Sequence, residues 1–307
     1  MKKTGFFVSA IFALVCVLAV FSCSNMLEDL RRAREGVTGA TPAGTPVVTT
    51  PPEQIPLTLE AVAANTTVTF TNKASGDVKY KVNDGEMQTI ASNGSAAIQL
   101  SAAGDKVSFY GDNAKYGASS SSDCSNIACD EECYVYGNIM SLIKSEGFEN
   151  ERTLTAEYAF ANLFRNNANI KNKPGAELLL PAETLADFCY YCMFYGCTSL
   201  TSAPELPAET LAESCYDSMF DGCTSLTSAP ELPATTLKEY CYSSMFGGCT
   251  SLNTVTCLAT DISATNCVTD WLNNTAGGTF YRNPSVSNDF WNGKVPDTWT
   301  VLPYQQP

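Results

Sequence analysis

Apolar and polar residues alternate with a period of two between residues 57 and 112, as in Thr67-Val68-Thr69-Phe70 and Val78-Lys79-Tyr80-Lys81-Val82. Such alternation puts Val78, Tyr80 and Val82 on one face of a half-buried strand. Asp84-Gly85, between VKYKVN and MQTIAS, is placed to supply the positive φ of a tight hairpin, and Ala103-Gly104-Asp105 separates AAIQLS from KVSFYGD. Five or six antiparallel strands are expected, forming a small all-β sandwich-like domain over residues 57–122. A connecting and N-capping segment, 123–153, follows, in which Ile139, Leu142 and Ile143 fit a short helix packed on what comes next.

What comes next is an internal repeat, with a period of about 26 in the range that marks solenoids. Its copies are LPAETLADFCYYCMFYGCTSLTSAPE from Leu180, LPAETLAESCYDSMFDGCTSLTSAPE from Leu206 and LPATTLKEYCYSSMFGGCTSLNTVTC from Leu232. Pro181, Pro207 and Pro233 recur in register, as do Cys189, Cys215 and Cys241, and Cys197, Cys223 and Cys249. A degenerate copy precedes them, with Phe164 at the position of Phe194, Ile170 at that of Leu200, and Asn167 where the others carry cysteine. Leu211, Cys215, Met219 and Cys223 stand four apart with Phe220 beside them, which predicts a helical face. Pro207 near its start and Gly222 near its end suit a helix in that order. SLTSAPEL then reads as a short extended segment interrupted by proline. One helix and one strand per repeat, with the strands stacked into a parallel sheet, make a solenoid over 154–258 and leave 259–307 as its C-terminal cap. A single unit is too small to bury its own apolar face, so neighbouring copies must cover it, and the cysteines become internal columns.

Ahead of the strands, a dibasic start and an apolar stretch from Phe6 to Phe21 are too short to span a bilayer and read as an export signal over 1–22. Val20-Phe21-Ser22-Cys23 resembles a bacterial lipobox, which makes Cys23 the expected lipid-attachment residue. The Gly-, Thr- and Pro-rich stretch that completes residues 23–56 reads as a flexible tether. The chain is therefore expected to be exported and lipid-anchored in the cell envelope, surface-exposed, with the outer membrane as its support.

Composition narrows the chemistry. The net charge of -14 disfavours nucleic acid as a partner. The absence of histidine removes His-based triads, general bases and His-ligated metals. Cys124, Cys129 and Cys133 around Asp130-Glu131-Glu132 fit a disulfide beside an acidic surface loop better than a metal site, for want of a fourth ligand. Cys189 and Cys192 form a CxxC, but Ser218 and Ser244 replace Cys192 in later copies, so packing is the expected role. No catalytic residue, cofactor or metal is expected, and the chain does not read as an enzyme. The acids recur with the repeat, and no motif singles out a hydrolytic carboxylate pair.

MFxGCTSLTSAPELPAxTLA resembles the BspA-type leucine-rich repeats of bacterial surface proteins, and the likeness covers about residues 155–258. SLNTVTCLATDISATNCVTDWLNN with GTFYRNP and VPDTWTV is similar to the closing segment of such proteins, and FYGDN and CYVYGNIMSLI to their N-terminal module. The resemblance implies an α/β leucine-rich-repeat solenoid and adhesive binding to a protein or glycan ligand on host or neighbouring cells. The alternative is an envelope assembly role with a bacterial partner. Three good copies and one degenerate one make a shallow contact surface. Candidate contact residues are Thr201, Ser202, Glu205, Thr227, Ser228 and Glu231 on the sheet side, and Tyr190, Tyr216 and Tyr242 on the other.

Overall fold

The computed structural model describes residues 54–305. The expected export signal, Cys23 and the tether up to residue 53 lie outside the described residues.

The period-two region forms β1 (Thr58–Ala61), β2 (Thr66–Thr71), β3 (Val78–Val82), β4 (Met87–Ile90), β5 (Ser95–Leu100) and β6 (Lys106–Gly111). Two more strands, β7 (Asn126–Cys129) and β8 (Cys133–Asn138), come from the segment expected to be connecting chain. β2 lies between β5 and β7 in one antiparallel sheet; β4, β3, β6, β1 and β8 run in that order in a second. The hairpin between β3 and β4 has its positive φ at Asn83, 49°, rather than at the expected Asp84-Gly85. Asparagine tolerates the left-handed region better than most residues, and Asn83 is held there by longer-range bonds, its Nδ2 donating to Asp105 Oδ1 and its Oδ1 accepting from the Lys106 N–H. A short 3-10 helix, Ile139–Leu142, takes the place of the helix expected there. Cys124, Cys129 and Cys133 are buried thiols rather than partners in a disulfide. The Cys124 thiol lies against the carbonyls of Ala118 and Ser120.

Mostly β structure continues through the repeats, which wind a β-solenoid of about three turns with almost no helix. β9 (Ile170–Asn172) and β10 (Leu178–Leu179) pair in parallel with β8, so the solenoid's first strands extend a sheet of the sandwich. Lys173 beyond β9 pairs with Glu60 of β1, whose other oxygen accepts from Tyr136. Farther along, β11 (Ser228–Leu232), β12 (Thr254–Cys257), β13 (Gly278–Arg282) and β14 (Trp299–Pro303) form a four-stranded parallel sheet. β13 and β14 belong to the segment expected to be a cap.

The helix expected in each repeat is absent, and a ribbon of consecutive turns replaces it. Between Ala186 and Cys197, the N–H groups of Cys189, Tyr191, Met193, Tyr195 and Cys197 each bond the carbonyl three residues back. The intervening N–H groups, of Phe188, Tyr190, Cys192, Phe194 and Gly196, donate to Glu213, Cys215, Asp217, Met219 and Asp221 of the next coil. Left-handed residues punctuate the ribbon every fourth position, at Phe188, Cys192 and Gly196, then Ser214, Ser218 and Gly222, then Tyr240, Ser244 and Gly248. Beyond its first turn, an α-helix keeps its N–H groups to itself; this ribbon spends half of them on its neighbour. The strict spacing of four is the clue. At about 100° per residue, twelve residues of α-helix drift by about 120°, so Leu211 and Cys223 would not share a face. Cys, Tyr, Phe and Ser are also indifferent helix formers.

Each four-residue step points two side chains inward, and identical coils stack them. Tyr116, Phe160, Tyr190, Tyr216, Tyr242, Trp271 and Trp291 form one continuous aromatic column with centroids 5.6 to 6.5 Å apart. Phe164, Phe194, Phe220 and Phe246 form a second, their rings within 3° of parallel. Cys189, Cys215, Cys241 and Cys267 make a thiol column, all at 2% exposure or less. Cys197, Cys223 and Cys249 make another, each donating to the carbonyl of a phenylalanine in the preceding coil at 3.1 Å.

Gly248 shows what the ribbon demands of its backbone. Its φ is 67°, and a Cβ there would meet nothing closer than 3.6 Å, so the cost of Gly248→Ala is conformational rather than steric. A loss of about 1–2 kcal/mol is expected, read as a lower urea midpoint at unchanged slope.

Candidate contact face of the solenoid

The parallel sheet turns one side to the core and the other to water. In register, Ser228, Thr254, Thr279 and Thr300 form one outward row, and Glu231, Thr256, Tyr281 and Leu302 the next. Leu232 and Cys257, and Val255 and Phe280, are the inward pairs between them. A register shift falls between Ser228 and Glu231, where Ala229 and Pro230 of β11 stand opposite Val255 alone. Pro230 has no N–H to give to a ladder, which suits it to such a bulge.

The preceding coil joins this face through side chains and single bridges. Asn172 Oδ1 accepts from the N–H groups of Thr201 and Ser202 at 2.9 and 3.0 Å and from Thr201 Oγ1 at 3.1 Å, while its Nδ2 donates to the Ser202 carbonyl. Thr227 then donates from both its N–H and its hydroxyl to the Thr201 carbonyl, each at 3.1 Å, and Ser202 bridges Ser228. Thr201, Ser202, Glu205, Thr227 and Ser228 are thereby gathered on one exposed face, with Glu231 half-buried.

The tyrosines expected as contacts are not there. Tyr190, Tyr216 and Tyr242 are at most 1% exposed and stack in the first aromatic column, so they are core residues and not a contact surface. Tyrosine's preference for interfaces misleads here, because its ring fits a column as well as a surface. The apolar groups on the sheet face come instead from β13, β14 and the residue after them. Tyr281 meets Tyr304 edge-on at 6.3 Å, Leu302 is 42% exposed, and Tyr304 donates its hydroxyl to Glu231 Oε2 at 2.7 Å. Sequence reasoning misses these three. Phe280-Tyr281 and Trp299-Thr300 carry the same period-two signal as β3, but they stand in a segment that reads as a cap.

Electrostatics divides the face. Burial pushes the Glu205 carboxyl above the ordinary carboxylate value, and repulsion from Glu177 and Glu231 adds to it. Donation to the Glu231 carboxylate raises the Tyr304 hydroxyl. One end of the face is thus acidic and hydroxyl-rich, the other aromatic and aliphatic. A raised carboxylate binds its proton more tightly in the folded chain than in the unfolded one. Stability is therefore lost as pH rises from the ordinary carboxylate value through the raised one. Glu205→Gln is expected to gain stability at pH 7 relative to the parent and to gain none at pH 4. The difference, under about 1 kcal/mol because water screens exposed charges, is read from urea midpoints at the two pH values.

Burial also raises the thiols inside the coils: Cys215 and Cys223 go well above the usual value, and Cys249 and, on β12, Cys257 are pushed up to about 12. A thiolate is what nucleophilic attack and metal ligation require, and these sulfurs are held as neutral, weakly donating hydrophobes. No protein-family model, curated protein or solved structure matches the chain.

Proposed function

We propose that the chain is a surface-displayed binding protein, held at the cell envelope through lipid on Cys23, whose solenoid contacts a protein or glycan ligand on host or neighbouring cells. Its coils are of the BspA leucine-rich-repeat type by sequence motif, with a turn ribbon where an α/β repeat has a helix. The observation that carries the reading is the exposed sheet face, where Tyr281, Leu302 and Tyr304 adjoin Glu231 and rows of hydroxyls. Aromatic and aliphatic groups beside satisfied polar ones are the composition of contact surfaces. The test has two parts. Protease treatment of live cells should remove the chain, and the purified chain should bind immobilised host matrix proteins or whole cells, with at least a tenfold loss in a Tyr281→Ser, Leu302→Ser variant. Protection from protease on intact cells, or binding indifferent to those substitutions, overturns the proposal. Co-purification with a bacterial envelope component, without binding to host proteins or cells, replaces it with the assembly role.

A further inference from the structure

The hydrogen-bond ladder that stacks the ribbons ends on an unanswered row. Tyr240, Tyr242, Ser244, Phe246 and Gly248 donate their N–H groups to the carbonyls of Thr265, Cys267, Thr269, Trp271 and Asn273 in the next ribbon. The equivalent donors of that ribbon, one repeat on, are Asn266, Val268, Asp270, Leu272 and Asn274. None of these five N–H groups has an acceptor among the described residues. At the opposite end of the stack, Tyr116 and Ile127 donate to the carbonyls of Ala159 and Leu163, and Asn126 Nδ2 donates to that of Arg165, so the sandwich covers much of that row. Three of the open donors, at Val268, Asp270 and Leu272, border a groove of about 460 Å³ between residues 268–273 and 293–297. Its wall is held by Trp271, which donates Nε1 to the Lys294 carbonyl at 2.7 Å and stacks on Trp291. Two exposed acids, Asp270 and Asp297, face a single exposed base, Lys294.

We propose that this groove binds an extended segment of a partner polypeptide, which offers backbone carbonyls on alternate residues to Val268, Asp270 and Leu272 and a basic side chain to Asp270 and Asp297. The inner coils show what answers such a row: carbonyls two residues apart on a neighbouring chain segment. Val268 and Leu272 are buried and Asp270 is exposed, so a partner carbonyl completes two donors that little water reaches and replaces water at the third. A second copy of this chain does not fit. A two-fold contact would set donors against donors, and a head-to-tail contact would meet a row in which the sandwich already holds the carbonyls of Ala159, Leu163 and Arg165. A polyanion is opposed by the two acids and by the net charge of -14. The site is separate from the sheet face and stands whether or not that face binds.

The experiment is amide hydrogen exchange by NMR on the full chain, with and without the acetylated, amidated peptide Lys-Val-Thr-Val-Lys-Val. In the free protein, Val268, Asp270 and Leu272, which lack an acceptor, should exchange faster than the hydrogen-bonded Tyr242 and Phe246. Millimolar peptide should slow those three at least tenfold. An Asp270→Asn, Asp297→Asn variant keeps the donors and should weaken the peptide at least fivefold. So should a peptide with glutamate in place of lysine on the parent protein. Three results overturn the proposal: protection of these amides before peptide is added, whether from an internal acceptor or from a dimer seen by light scattering; no slowing at millimolar peptide; or slowing confined to other amides.

Discussion

Replacing Phe220 by alanine is expected to destabilise the protein by about 3–5 kcal/mol. The ring is fully buried and lies between Phe194 at 5.4 Å and Phe246 at 5.7 Å, in planes within 3° of its own. Both neighbours are held by the same ladder that holds Phe220, since Phe194 donates to Met219 and Phe220 to Met245, so neither can move into the space without breaking backbone bonds. The cavity therefore stays open, and the cost sits at the upper part of its range. In a stack where each coil touches only its neighbours, such a defect also weakens the coupling between the two sides. All three tryptophans, Trp271, Trp291 and Trp299, lie on the C-terminal side of it. In the parent, tryptophan fluorescence and far-UV circular dichroism should follow one urea transition. In Phe220→Ala they should separate. A loss under about 1 kcal/mol with coincident curves would mean that the column relaxes and that stacking is not what holds the coils.

The second large effect has the opposite sign. Tyr190 and Tyr216 are fully buried or nearly so, and their hydroxyls have no hydrogen-bond partner. Burial holds both hydroxyls well above their ordinary ionisation range, so they remain neutral O–H groups. A buried polar group without a partner costs about 1–3 kcal/mol. Phenylalanine keeps the ring, and with it the 5.7 Å contact between the two tyrosines and the 6.1 Å contact from Tyr216 to Tyr242. Removing that cost, Tyr190→Phe and Tyr216→Phe are each expected to raise stability by about 1–2 kcal/mol, measured by thermal and urea unfolding. The double variant should gain nearly the sum. Destabilisation by either substitution would show that the hydroxyl makes a bond, through an enclosed water or a shifted carbonyl, and the count of unsatisfied groups in the column would be wrong.

Much of this architecture is legible in the residues. Alternation at Val78, Tyr80 and Val82 and at Thr67 to Phe70 marks strands that exist, because a strand with one wet face writes its two environments into alternate positions. Strand order is not legible: β5 and β6 are adjacent in sequence yet lie in different sheets, and a turn such as Gly104 looks the same in either arrangement. The inward set of each coil is legible too, since Cys215, Met219 and Cys223 recur at fixed positions and all are buried. Of the contact face, the hydroxyl and acid rows can be found and the apolar end cannot. Tyr281 and Leu302 become neighbours through the pairing of β13 with β14, and nothing near either residue announces the other.

By itself, then, the sequence determined where each coil begins, that the coils stack, and which of their side chains recur as columns. These follow from recurrence at a fixed interval and from the polarity of individual positions, information carried within a short stretch of chain. Only the tertiary structure decided that the ribbons are turns and not helices, and with that the burial of Tyr190, Tyr216 and Tyr242. The reason lies in the hydrogen bonds. An α-helix is closed by its own residues, whereas this ribbon donates every second N–H to the coil that follows it, from Tyr216 to Cys241 or from Phe220 to Met245. A conformation whose bonds are completed by a neighbour is settled when the neighbour is in place.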